Sequence, residues 1–203
     1  MFDLINLLLL LLLLAFIFFG YNYVTKMKVS IGFFRLFWEQ LFLEPLLFIF
    51  RWLPGAYGMF CRNIIYAFLL KKKGKNVLIR EGVKFFFPER IVIGDYSGVH
   101  EECKLDGSGG ITIGKYVRLA PRVEIMTSNH IYNDLKTPLK LQGLEYKSVI
   151  IEDDVWIGIG ALLVPGVHIG KGSIIGGHSV VTKDIPDYAI VVGNPAKIIS
   201  YRK

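Results

Sequence analysis

In three runs between residues 93 and 181 an aliphatic side chain returns at every sixth position. Ile93, Val99 and Leu105 form one run, and Ile113, Leu119 and Ile125 a second. Ile151, Ile157, Leu163, Ile169, Ile175 and Val181 form a third. Four places after most of these stands a small or β-branched residue: Ser97, Cys103, Val117, Val123, Val155, Ala161, Val167, Ser173 and Ser179. Glycine often follows the aliphatic residue directly, as at Gly94, Gly114, Gly158, Gly170 and Gly176. Such a period fits neither a 3.6-residue helix nor the plain alternation of a half-buried strand. It predicts a prism with three short flat faces and roughly eighteen residues per turn, the hexapeptide form of the parallel β-helix. The aliphatic and small residues point inward, and glycine serves corners that need positive φ. About five coils are expected between Val77 and Pro186. Each stacks on the next, so both ends need protection.

A different pattern governs the N-terminal part. Residues 4–19 read LINLLLLLLLLAFIFF, and from Leu4 to Val24 the strongly polar side chains are Asn6 and Asn22. About 20 apolar residues cross a bilayer as a helix, which satisfies its own backbone there. A cleaved signal peptide needs a basic leader and a small-residue cleavage site. Here Asp3 precedes the apolar run and no A-x-A follows it. The expectation is a retained transmembrane anchor over residues 1–28. Lys26 and Lys28 follow the span and no Lys or Arg precedes it, which places the remainder on the cytoplasmic side. In residues 29–76 the apolar pattern is interrupted by Glu39, Gln40, Glu44, Pro45 and Arg51. Amphipathic helices lying in the membrane interface fit this best, broken near Pro45 and Pro54-Gly55. The alternative is a shallow hairpin or a second span.

Charge sharpens the division. Residues 21–84 hold eleven Lys and Arg against three acids, a net +8, whereas residues 85–203 hold thirteen of each sign. The basic character belongs to the membrane-proximal third, and KKKGK at 71–75 reads as a patch facing anionic lipid headgroups. Nucleic-acid binding would require a basic face on the folded domain, which residues 77–203 lack. The two cysteines, Cys61 and Cys103, give no disulfide framework. Cys103 falls in an inward small-residue slot and is read as core.

The beat stops at Thr127 and returns at Ile151, leaving an excursion over residues 127–148 with His130 near its start. Long excursions from a compact repeat tend to carry function, because the scaffold holds them while the loop reaches out. An acceptor hydroxyl is a poor nucleophile until a base takes its proton, and a neutral imidazole suits that task near pH 7.

PRVEIMTSNH, the excursion, and then VIIEDDVWIGIGALLVPGVHIGKGSIIGGHSVVTKDIPDYAIVVGNPAKII resemble the hexapeptide acetyltransferase family. Within it, the sugar O-acetyltransferases of the maltose/galactoside type and the surface-polysaccharide acetyltransferases are the most similar. The resemblance covers roughly residues 91–200. It implies a left-handed parallel β-helix, a homotrimer with sites between subunits, and acetyl-CoA as donor. The histidine ending a T-x-x-H stretch is the family's catalytic base, and this is His130. The coenzyme contacts it implies are Trp156 and Gly158 of VWIG, Gly177 where alanine is frequent, Thr182 and Lys183 of TK, and Lys197 in place of a frequent arginine. Ile159 stands where serine is frequent. On the acceptor side His100 falls where sugar-acetylating relatives carry a polar residue. Asp106, in the small insertion LDGSGG, is a second acceptor candidate, and Glu124 is placed to orient His130. His168 and His178 occupy outward positions.

The resulting expectation is an acetyl-CoA-dependent O-acetyltransferase tethered to the cytoplasmic face of a bacterial inner membrane. Its acceptor would be a sugar hydroxyl on a surface-polysaccharide or lipid-linked glycan precursor, and its lipid partners anionic headgroups. An amine acceptor, a longer acyl chain and a non-catalytic β-helix scaffold are the alternatives. The carbonic anhydrases built on the same fold need three zinc-ligating histidines. His100, His130, His168 and His178 lack the close pair this requires, so no metal is expected.

Overall fold

The computed structural model describes residues 44–203. The anchor expected over 1–28, and the interfacial stretch as far as residue 43, lie outside the described residues. Two compact units are delimited, residues 1–50 and 51–203. Helix α1 (Glu44–Trp52) contributes its first turns to the former. Among the described residues no helix is long and apolar enough to cross a membrane.

The second unit is the predicted prism, beginning five residues before the expected Val77. Strands β1 (Lys72–Lys73), β4 (Ile91–Ile93), β7 (Ile111–Ile113), β12 (Val149–Ile151) and β15 (His168–Ile169) stack as face A. Face B stacks β2 (Leu78–Ile79), β5 (Gly98–Val99), β8 (Arg118–Leu119), β13 (Trp156–Ile157), β16 (Ile174–Ile175) and β18 (Ala189–Val192). Face C stacks β3 (Lys84–Phe86), β6 (Lys104–Asp106), β9 (Glu124–Ile125), β14 (Leu162–Leu163) and β17 (Val180–Val181). These pairings are all parallel, and five coils are complete, as the period predicts. The aliphatic residues of the six-residue beat are buried, and so are the small residues four places after them. Fully burying one such Ile or Leu stabilises by roughly 1.5–3 kcal/mol. Inward serines bridge coils at the corners. Ser97 Oγ donates to Gly114 O at 2.7 Å and accepts from Val117 N at 3.0 Å.

The glycines that follow the aliphatic residues serve a different purpose from the one expected. Gly94 and Gly114 are not in the left-handed region. A Cβ at Gly94 would lie 2.5 Å from the backbone of Gly114, so it is the close approach of stacked corners that excludes a side chain. Positive φ falls two residues later, at Tyr96, Glu102, Tyr116, Arg122, Asp154, Gly160 and Gly172 among others.

The N-terminal end is closed by α2 (Gly55–Leu69), which packs on β1, β2 and the short 3-10 turn Pro88–Arg90. Its inner face carries Gly58, Arg62, Tyr66 and Leu69. The Arg62 side chain is 1% exposed; its Nε donates to Ile79 O at 3.0 Å and one terminal nitrogen to Leu53 O at 2.7 Å. The sequence pattern gave no sign of this buried arginine. Its guanidinium titrates below the ordinary range because burial outweighs the nearby Glu81 carboxylate. The opposite face exposes Tyr57, Phe60, Ile64 and Phe68. The basic run that follows is only partly free: Lys71, Lys72 and Lys75 are exposed, while Lys73 is half-buried, with Nζ 3.2 Å from Asn63 Oδ1. At the other end β18 pairs antiparallel with β19 (Lys197–Tyr201).

Coils differ in length at one corner only, between faces C and A. Ile151 pairs with Ile169, eighteen residues on, but Ile93 pairs with Ile113, twenty on. Two extra residues in each early coil enlarge the C-to-A corner, and the 127–148 excursion leaves from the same corner one coil later. Its root is clamped. Thr127 is 0% exposed. Its hydroxyl donates to Asp106 O at 2.6 Å and accepts from Gly109 N at 2.7 Å, while Lys147 N donates to Thr127 O at 2.9 Å. Replacing Thr127 by valine keeps the shape and removes this bridge. The half-buried Gly109 N–H then loses its partner, at about 0.5–1.5 kcal/mol. Chemical denaturation should show a loss of that size; an unchanged midpoint would show that the clamp contributes nothing. Burial pushes the Cys103 thiol up to about 12. A thiol-reactive chromophore should therefore modify Cys103 only after unfolding, and stoichiometric labelling of the native fold would contradict its burial.

Candidate functional site

His130 sits on a short antiparallel hairpin, β10 (Ser128–His130) against β11 (Leu144–Tyr146), in register with Leu144. Between the strands lie an exposed loop and the one-turn helix α3 (Leu139–Gln142). The loop braces itself from within. Gln142 Nε2 donates to Thr137 O at 2.7 Å and to Asp134 O at 2.8 Å, and Asp134 Oδ1 accepts from Lys136 N at 2.8 Å. The Thr137 hydroxyl, followed by the Lys136 N–H, holds the Asp134 carboxyl below its usual range. His130 is exposed, and among the described residues its ring makes no hydrogen bond or ion pair. Leu135, 98% exposed, with Tyr132 and Leu141, leaves the hairpin and loop with a bare apolar surface.

Two acidic candidates do other work. Glu124 does not orient His130. It lies outward on β9, in register with Lys104 on the coil before, and its carboxylate takes Lys104 Nζ at 2.8 Å. Asp106 sits beneath the excursion rather than in an acceptor cleft. Its carboxylate accepts from Ser108 N at 3.0 Å, Ser108 Oγ at 2.9 Å and Ser128 Oγ at 2.8 Å. Ser128 begins the strand that carries His130, so Asp106 fixes where that strand starts.

The cleft is elsewhere, on face B and the adjoining B-to-C corner. It encloses about 330 Å³ and is lined by His100, Arg118, Ala120, Pro121 and Trp156. Trp156 was expected against the coenzyme and His100 on the acceptor side, and the same cleft holds both. Arg118 was not expected there: among alternating outward charges along the coils it carries no signal of its own. His100 Nδ1 lies 3.7 Å from Glu101 Oε2, and Arg80 Nε holds the other carboxylate oxygen of Glu101 at 2.9 Å. Burial pulls the Glu101 carboxyl upward. Its own backbone N–H and Arg80 more than offset this, and it titrates below the usual range.

The remaining coenzyme candidates divide between corners. Gly158 and Gly177 stack at the B-to-C corner, where a Cβ on Gly158 would lie 2.5 Å from Gly177 N. Thr182 and Lys183 are exposed at the C-to-A corner directly after β17, and Lys197 is exposed on β19. Within one chain, then, His130, Thr182 and Lys183 emerge on one side of face C, and Trp156, Gly158 and His100 on the other. Among the described residues no cluster of His, Cys, Asp or Glu could hold a metal ion.

Residues 148–183 match the family model described as bacterial transferase hexapeptide (six repeats). WcaF of Escherichia coli (strain K12), a candidate colanic acid biosynthesis acetyltransferase, is 31% identical over 161 residues, covering 76% of this chain and 81% of that protein. A candidate acetyltransferase of Saccharomyces cerevisiae is 44% identical over 126 residues, 61% of this chain; the chain spans 62% of that relative's length. Among solved structures, a maltose O-acetyltransferase from Clostridium difficile 630 superposes with a TM-score of 0.70 at 33% identity, covering 79% of this chain and 84% of that one. A hexapeptide-repeat acetyltransferase from Vibrio cholerae in complex with acetyl-CoA gives 0.68 at 28% identity, covering 76% and 81%. With the stacked six-residue coils, the clamped histidine hairpin and an E. coli relative matched over most of its length, the chain belongs to the hexapeptide-repeat acetyltransferase family.

Proposed function

We propose that this chain transfers the acetyl group of acetyl-CoA to a sugar hydroxyl, with His130 as general base, at a membrane surface. The observation that carries the reading is the hairpin. The solenoid makes one long excursion among the described coils, and the Thr127–Asp106 clamp holds the strand that presents His130. Neutral His130 takes the proton of the acceptor hydroxyl as its oxygen attacks the thioester carbonyl. The tetrahedral intermediate then collapses, the C–S bond breaks, and the proton passes to the departing thiolate. Base catalysis of this kind contributes roughly 10²–10⁴-fold, and holding the two substrates together supplies much of the rest. Support for the donor and acceptor classes comes from the relatives: one solved with acetyl-CoA, one named for maltose, one for a polysaccharide.

The same reading calls for a homotrimer. His130 and the Trp156 cleft flank opposite sides of face C, so a complete site needs the hairpin of one copy against the cleft of the next. In a closed ring every copy offers both halves. The apolar hairpin surface around Leu135 and Leu141 would be covered in that contact. Tethering to the cytoplasmic face of a bacterial inner membrane rests on the apolar run at residues 4–24 and on the aromatic face of α2. The exposed Lys71, Lys72 and Lys75 follow that face and suit anionic headgroups. A tether raises the effective concentration of a lipid-linked acceptor without any new contact.

Mass spectrometry of lipid-linked and surface glycans, comparing the wild type, a deletion and His130→Ala at matched expression, tests the reaction. An acetyl-sized mass should vanish in both mutants, and its persistence in His130→Ala would remove the histidine from catalysis. In vitro the substitution should lower kcat by roughly 10²–10⁴-fold with little effect on folding. Coexpressing His130→Ala with Trp156→Ala should restore part of the activity that each lacks alone. Mixed rings would then contain some sites with an intact hairpin from one copy and an intact cleft from the other. No recovery in a confirmed mixed oligomer would place the whole site within one chain.

A further inference from the structure

We infer that the face B cleft reads a negative charge on the acceptor, with Arg118 as its anion-binding group. The inference rests on the acetyl-transfer reading and narrows its substrate class. The outward row of face B runs in register through Leu78, Gly98, Arg118, Trp156, Ile174 and Ile190. Arg118 is the one charged member of those six positions. Other arginines of the fold vary: Arg80 Nε meets Glu101 at 2.9 Å and Arg202 meets Asp154 at 2.9 Å, Arg90 donates to Ser108 O, and exposed Arg122 has no side-chain partner among the described residues. The Arg118 guanidinium has no hydrogen-bond or ion-pair partner among the described residues, yet it lines the cleft. Among the described residues of one chain, no acidic side chain lines that cleft.

The neighbours of Arg118 are arranged for a ligand. Gly98 leaves the position beneath it without a side chain, and the His100 ring occupies the space, its Nε2 3.5 Å from where a Gly98 Cβ would be. Behind the ring, the Glu101 carboxylate faces Nδ1 at 3.7 Å and is itself held by Arg80. Above Arg118 stands the half-exposed indole of Trp156, an apolar surface for the flat side of a sugar ring. The guanidinium fork matches a phosphate or a carboxylate in two parallel hydrogen bonds. At about 330 Å³ the cleft is at the small end of ligand pockets. The cleft has room for about one sugar residue beside the anion. Two sources share this chemistry: the diphosphate of an activated or lipid-linked sugar, and the carboxylate of an acidic sugar.

The test uses the full chain in lipid nanodiscs with acetyl-CoA and two matched acceptor pairs, reading thiol release and product mass. One pair is methyl galacturonide against methyl galactoside; the other is UDP-galactose against methyl galactoside. In one pair the charged acceptor should show the higher kcat/KM, and the pair that responds names the source. Arg118→Leu should reduce that charged-to-neutral ratio roughly 10- to 100-fold, and Arg118→Lys should retain part of it. Thermal melting confirms that both variants fold. Equal kcat/KM for charged and neutral acceptors in the wild type, with acetyl-CoA bound and turned over, overturns this inference alone. A rise in the acetyl-CoA dissociation constant in Arg118→Leu, with the acceptor ratio unmoved, reassigns the arginine to the coenzyme and overturns it too. Failure to bind acetyl-CoA or to acetylate any acceptor removes the transfer reading and this inference together.

Discussion

The strands of this solenoid are two to four residues long, and few could persist on their own. Each exists because its backbone N–H and C=O groups are bonded to the coils above and below, which water cannot replace inside the stack. That requirement fixes the register of every face at once. A residue inserted into a strand would turn the aliphatic side chains of that coil outward, since successive side chains point to opposite faces. Length can vary only at corners. The fold uses the C-to-A corner for this purpose, by two residues in each early coil and by twenty in the coil that carries His130. The hairpin can leave because Ile125 and Ile151 both remain in register with their neighbours. Thr127 and Asp106 then convert a permitted gap into a defined direction.

Much of this was legible in the amino-acid pattern, for a reason that also marks where legibility ends. The period belongs to the backbone, so it repeats in the sequence, and every aliphatic position it picks out is buried. The reason for a glycine does not repeat in the same way. Sequence shows that a side chain is missing at Gly94 or Gly158, but only the stacked structure shows that the next coil's backbone lies there. Position in a coil also outranks proximity in sequence. Glu124 stands six residues before His130, yet strand parity turns it toward Lys104, twenty residues earlier. Asp106 looked like an acceptor ligand because the insertion around it is visible; Ser108 meets it in a local turn, whereas its partner Ser128 meets it only after stacking. Arg118 was overlooked because an outward strand position commonly carries charge. What distinguishes it is the lateral company of Gly98, His100 and Trp156, and no linear reading supplies that. The N-terminal pattern was legible on one side: the aromatic face of α2 is there, but its buried face depends on Arg62 reaching backbone carbonyls that the sequence does not mark.

The division of labour within the second unit follows from these constraints. Stability resides in the inward columns, which tolerate little change, because a void or an added atom propagates to the coils on both sides. The chemical groups all lie outside the columns, on outward strand positions, at corners or on the hairpin. Such groups change without disturbing the core, which lets one scaffold present different acceptors to the same base. The cost falls on exposed apolar area. Leu135, Leu141 and Tyr132 are exposed on the excursion that carries His130, and Tyr57, Phe60 and Ile64 are exposed on α2. At about 25 cal/mol per Å² neither surface is indifferent to being covered. They differ in what could cover them. The hairpin surface is a tip on which Leu135 and Leu141 stand among charges of both signs, Asp134, Lys136, Lys140 and Glu145, and it suits a second protein surface of matching shape. The α2 face is a stripe followed by lysines, and it suits a bilayer, where aromatic rings settle among the headgroups and ammonium groups meet phosphate. On the proposed reading, in which acetyl-CoA meets a membrane-borne acceptor, both surfaces would have a use: one contact would complete the site, and the other would bring the completed site to its acceptor.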